Sequence, residues 1–146
     1  MKKLVAPLVA GGACALALAA LSGAATRATI WTTSLTATQE VPKQVVKDAN
    51  AHGTFKATLN GNTLSWTLTF SGLTGPATAA HIHMGAKGAS GPVVVPICGP
   101  CKSPVKGSAK VSGSLKSAFA QHKLYVNVHT AKNPGGEIRG QLAVGM

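Results

Sequence analysis

Three histidines in this chain sit where they could share one chemical task. The stretch AHIHMGAKGASGPVVV, residues 80–95, sets His81 and His83 one residue apart and then runs into a glycine-rich loop. A third, His129, closes the segment LYVNVHT at residues 124–130, again just before a glycine-containing loop. Three neutral imidazoles suit copper or zinc, with ring nitrogens about 2.0 Å from the ion. An i, i+2 pair in a strand has its Cβ atoms about 7 Å apart, a span that two rings can close onto one ion. Asn127 and Glu137 are the candidates to orient a ring from behind, and His52 or His122 could add a fourth ligand. Met84 points away from His83 in a continuous strand, so it belongs to packing rather than to a copper site. The competing reading needs no metal: the rings would donate hydrogen bonds to loop backbone and brace the Gly85–Gly91 segment.

Convergence of the three depends on strands. Leu64, Trp66, Leu68 and Phe70 alternate with Ser65, Thr67 and Thr69, and Phe55, Ala57 and Leu59 repeat the pattern upstream. Asn60-Gly61-Asn62 between them is a hairpin signal. Further strands are expected at 29–38, 78–83, 92–97, 107–115, 124–130 and 137–144, with a short helix within 115–123. In a strand, side chains two apart share a face. His81 and His83 therefore project together while Ala80 and Ile82 turn inward. Leu124, Val126 and Val128 likewise leave Tyr125, Asn127 and His129 on the polar face. About eight short strands parted by Gly, Pro and Asn turns imply an all-β Greek-key sandwich of the immunoglobulin or superoxide-dismutase kind, in one domain.

Other motifs carry less chemistry. Cys98 and Cys101 stand as CGPC, the tetrapeptide of dithiol oxidoreductases, but that chemistry wants the first cysteine at a helix N-terminus. Ser103-Pro104-Val105-Lys106-Gly107 follows instead, which favours a structural disulfide closing a short loop. Gly85, Gly88 and Gly91 precede a strand rather than a helix and so cannot cradle a phosphate. The only acids are Glu40, Asp48 and Glu137, too few to assemble a paired-carboxylate or Ser-His-Asp centre. An enzyme is the disfavoured class.

The N-terminus supplies an address. Met1-Lys2-Lys3, an apolar run from Leu4 to about Leu21 and then Ser22-Gly23-Ala24-Ala25 make a secretory signal, cleaved near Ala24. Residues 1–24 are thus expected to leave a domain over 25–146 that is exported, periplasmic or extracellular, with no membrane span. Loss of Cys14 leaves the pair Cys98 and Cys101 in an oxidising compartment. The net charge of +11 falls to about +9 with Lys2 and Lys3 gone. The lysines form no dense run and few aromatics lie among them, so nucleic acid is not the expected partner. An unidentified extracellular or cell-surface partner is the alternative to a metal.

Three blocks make a family resemblance. EVPK at 40–43, SGLTGPATAAHIHMGAKGASGPVVV at 71–95 and LYVNVHTAKNPGGEIRGQL at 124–142 resemble the CHRD domain, found in chordin and in many exported microbial proteins. The resemblance covers about residues 32–144 and implies an extracellular β-sandwich with no agreed biochemical role in microbes. The growth-factor modules that accompany the domain in chordin have no counterpart here. A coarser likeness, at the level of the fold, is to copper-zinc superoxide dismutase, whose copper ligands His81, His83 and His129 would match. It implies a copper-dependent dismutase as a third reading, with the lysines and Arg139 steering the anionic substrate.

Overall fold

A computed structural model describes residues 28–43 and 50–145; the expected signal segment and Asp48 lie outside them. Among the described residues period-two patterning becomes nine strands: β1 (Thr29–Thr36), β2 (His52–Asn60), β3 (Thr63–Ser71), β4 (Ala77–Met84), β5 (Val93–Cys98), β6 (Val105–Lys110), β7 (Leu124–Thr130), β8 (Ile138–Gln141) and β9 (Ala143–Val144). They form one sheet in the order β5-β4-β7-β8-β1-β2-β3-β6, with β9 added against β1. Every pairing is antiparallel. The expected all-β single domain is borne out, as a single sheet that curls until it nearly closes into a barrel. Curling lets one apolar face bury itself without a second, separate sheet.

That face is the alternating set read from the sequence. Leu35, Phe55, Leu64, Leu68, Ile82, Val126, Val128 and Ile138 are fully buried or within 1 % of it. The β2–β3 hairpin pairs Asn60 with Thr63, so its turn is Gly61-Asn62, and Gly61 takes the positive φ of 59° that a glycine-first turn requires. The open edges, β5 and β6, are joined by residues 99–104, where Cys98 and Cys101 form the expected disulfide. That link is anchored by Cys101 N–H donating to the Ala77 carbonyl and by Ser103 Oγ accepting from Phe70 N–H.

One boundary differs from the sequence reading. The strand expected over 107–115 stops at Lys110, and helix α1 runs from Gly113 to Ala120. Ser112 starts the helix, its Oγ accepting from Leu115 N–H at 3.2 Å. Leu115, Ala118 and Phe119 form its buried stripe, and Phe119 packs on Trp31 with ring centroids 4.8 Å apart. Burial of that stripe across the barrel end outweighs the weak strand pattern of Val111–Leu115.

Candidate metal centre

Strands β4 and β7 pair side by side, with His81 opposite Asn127, His83 opposite Tyr125 and Ala79 opposite His129. A shift in register between Ala77 and Ala79 accompanies this pairing. His129 thus sits diagonally from His81 on the same outward face. The three rings converge: one ligand nitrogen from each lies within 4.8 Å of the other two. Nitrogens around one ion at 2.0–2.1 Å and tetrahedral angles stand about 3.3 Å apart. His81 Nδ1 and His129 Nε2, 3.1 Å apart, already meet that spacing. The widest gap needs to close by about 1.5 Å, within the reach of ring rotation.

The partners of each ring fix which nitrogen is free. His83 Nδ1 lies 2.9 Å from the Gly91 carbonyl and His129 Nδ1 lies 2.9 Å from the Pro134 carbonyl. A carbonyl only accepts, so both Nδ1 atoms carry the proton and both Nε2 atoms present a lone pair. His129 Nε2 takes a proton from His81 Nδ1. His83 Nε2 is buried and has no partner. A buried ring nitrogen left bare costs about 1–3 kcal/mol, so its position needs a cause. Burial and the neighbouring imidazoles hold His81 below the usual histidine range, and burial first, then His83, does the same to His129. Both rings are therefore inclined to stay neutral near pH 7, which is the form a metal requires.

The centre is less exposed than an outward strand face would suggest. His83 is 8 % and His129 9 % exposed, leaving only His81 partly open. Two loops cover them. The loop after β4 is tied down by Arg139 Nη2 donating to the Ala86 and Ala89 carbonyls and by Gln141 Nε2 donating to the Gly85 carbonyl. Tyr125 Oη meets Gly91 N–H at 3.1 Å, and its ring stacks on His83 at 4.9 Å between centroids. On Tyr125 also lies Arg139, its Cζ 3.5 Å from the ring centroid. The loop after β7 is organised by Glu137, whose carboxylate accepts from Thr74 N–H and Oγ1, Thr130 Oγ1 and Asn133 Nδ2. Those bonds hold Glu137 below the usual carboxyl range although burial alone would raise it.

Several sequence expectations are refined here. Neither Asn127 nor Glu137 bonds a histidine ring; the carbonyls of Gly91 and Pro134 do, and Glu137 acts one step away by fixing the loop that carries Pro134. His52 opens β2, an interior strand three places from β7 in the sheet, and is bonded to Asn50 and Ser71, while His122 sits at a positive φ of 54° after α1, so neither joins the cluster. β4 continues through Met84, which packs against the core as expected. Arg139 is 2 % exposed and its guanidinium donates to the Ala86 and Ala89 carbonyls, so it is part of what holds the loop. Glu40, at the end of the 3-10 turn Ala37–Gln39, has no place near the histidines in the sequence reading, and it is buried beside Asn127 and Gly136. Burial, offset partly by Arg139, pushes its carboxyl up to about 7.

An all-β barrel-like domain with a loop-covered histidine cluster on its outer face is the class defined so far. Residues 31–142 match the family model for the CHRD domain. The chain belongs to the CHRD family. Comparison with curated proteins and with solved structures finds no match. Among the described residues no helix is long and apolar enough to cross a membrane.

Proposed function

We propose that this CHRD domain is an exported, non-enzymatic module that binds one copper or zinc ion through His81, His83 and His129. The observation that carries this is the bare, buried Nε2 of His83, facing two other imidazoles while its Nδ1 is tied to a loop carbonyl. A metal takes the place of the proton that His81 and His129 now share and gives His83 Nε2 its missing partner. Export is supported by the apolar leader and by the Cys98–Cys101 disulfide, which suits an oxidising compartment. The non-enzymatic reading draws support from the two acids among the described residues: Glu40 and Glu137 are each buried, and neither hydrogen-bonds a histidine ring.

A second reading rests on the same two ring-to-carbonyl bonds. They brace the loops, and an extracellular interaction module without metal would need nothing more of these histidines. The two readings part at Nε2. Calorimetric titration with copper and with zinc is expected to give one ion per chain, lost in His83→Ala and in His129→Ala. No binding, or binding unchanged in both variants, leaves only the bracing role. Superoxide turnover by the copper-loaded protein that disappears in His129→Ala would replace a carrier of metal with a dismutase.

A further inference from the structure

The other outer face of the sheet, formed by β1, β2, β3 and β6, keeps most of its outward side chains exposed among the described residues and has a composition of its own. Strand alternation sends Thr54, Lys56 and Thr58 outward from β2, Ser65, Thr67 and Thr69 from β3, and Lys106, Ser108 and Lys110 from β6. Register sets them in rows: Thr32, Lys56, Thr67 and Lys106 lie across four neighbouring strands, and Thr58, Ser65 and Ser108 form the row beside it. Adjacent strands are about 4.8 Å apart, so Lys56 and Lys106 stand about 10 Å from each other with hydroxyls between. Lys110 is pinned to Thr63 Oγ1 at 2.7 Å, and Lys116 of α1 extends the edge by bonding Asn62 Oδ1 at 2.7 Å.

Among the described residues no exposed carboxylate offsets these charges. Glu40 is 3 % and Glu137 0 % exposed, so among the described residues the surface carries lysines and no exposed acid. The β1-β2-β3-β6 face presents spaced cations over a field of hydroxyl donors and acceptors.

We propose that the β1-β2-β3-β6 face docks an extended anionic polysaccharide, one whose sugar units carry carboxylates. Lysines about 10 Å apart stand just beyond the Debye length of about 8 Å at physiological salt, so they repel one another little, and an extended polyanion that places a negative charge against each gains a separate short-range attraction at each one. The hydroxyl rows match sugar hydroxyls, each able to donate or accept. A nucleic acid would need stacking rings, and the aromatic of these strands nearest the face, Trp66, is 7 % exposed and turned to the core. A bilayer would need apolar side chains to insert, and Ile30, opposite Thr58 on β1, is the one large apolar residue exposed on this face among the described residues. This reading is independent of the metal.

The test is binding of the purified protein to polygalacturonate, with neutral dextran, anionic phospholipid vesicles and single-stranded DNA as comparisons. The triple variant Lys56→Glu, Lys106→Glu, Lys110→Glu is set against Lys87→Glu, Lys123→Glu, Lys132→Glu, which makes the same change in net charge away from the face. Circular dichroism checks that both keep the β fold. Polygalacturonate binding that weakens at least tenfold in the first triple and less than threefold in the second, and falls with salt, is the expected result. Equal losses in the two triples would reduce the effect to overall charge and overturn the proposal. Tighter binding to vesicles or DNA than to polygalacturonate, or binding to none, would overturn it as well.

Discussion

The two outer faces of this sheet start from the same rule and end in different physics. On β4, β7 and β8, as on β2, β3 and β6, alternate residues are polar and point away from the core. On the β2-β3-β6 face those residues meet water. Over β4, β7 and β8, loops 85–91 and 131–137 close down, so that all seven residues of β7 are buried and Glu137, Arg139, Asn127 and His129 lie out of solvent. Alternation says which way a side chain points; it does not say what lies above it. A polar residue facing water interacts weakly with its neighbours, whereas one under a loop must find a partner or carry a cost. Polar substitutions should therefore matter on one face and hardly at all on the other.

The largest break in that contrast is expected at Glu137. Its carboxylate gathers donors from Thr74, Thr130 and Asn133, joining the β3–β4 and β7–β8 connections. Glu137→Ala removes a buried charge and leaves several donors unpaired, which should cost about 4 kcal/mol in urea unfolding. It should also weaken metal binding, because the loop carrying Pro134 loses its anchor.

Metal loading sharpens the contrast next. An ion held at a hundred times its Kd stabilises the fold by about 2.7 kcal/mol, roughly a 10 °C rise in Tm for a domain of this size. Thermal denaturation with and without the ion should show this in the native chain and in the Lys56, Lys106, Lys110 triple. The rise should vanish in His83→Ala. A rise that survives in His83→Ala would place the ion elsewhere.

A third effect, on the order of 2 kcal/mol once solvent screening is allowed for, comes from Glu40. Its carboxyl titrates near 7 in the folded protein against 4.5 as an ordinary glutamate. Between those values the folded chain keeps a proton that the unfolded chain has lost. The stability so gained is complete below about pH 4.5 and is lost as pH rises through about 7. Unfolding free energies measured from pH 5 to 8 should fall with this step, and Glu40→Gln should flatten it. An unchanged slope in that variant would move the titration to another group.

Much of this was legible in the residues, and the rest was not for definite reasons. Strands β2, β3, β4 and β7 followed from alternation because each has one face in the core, and His81, His83 and His129 shared a face for the same reason. Helix α1 was placed late because Val111 fits a strand as well as a helix lead-in, and only the Ser112 cap decides between them. The ring partners could not be read at all. They are backbone carbonyls of Gly91 and Pro134, and a carbonyl has no residue type. Glu40 escaped because its burial depends on β8 lying beside β1, a pairing between residues about a hundred positions apart.

The smallest expected effect is the most exacting check on the comparison, because it asks one substitution to do two different things. Thr67 and Thr130 are both threonines on interior strands of the same sheet. Thr67 points outward between the inward Trp66 and Leu68, whereas Thr130 ends the inward series Leu124, Val126 and Val128 and is fully buried where the 131–137 loop begins. Thr67 lies on the bare face between Lys56 and Lys106. Thr130 Oγ1 donates to Glu137 and accepts from Asn133 N–H. Valine has the shape of threonine and a similar preference for strands, so Thr→Val removes the hydroxyl and little else. At position 130 the loss leaves the buried carboxylate one donor short and should cost about 1.5–3 kcal/mol. At position 67 the hydroxyl trades bonds with water, and the change should stay within about 0.5 kcal/mol of zero. Chemical unfolding of the two variants measures both. A cost at Thr67 comparable to that at Thr130 would mean that the bare face is covered too, and the distinction between the faces would fail.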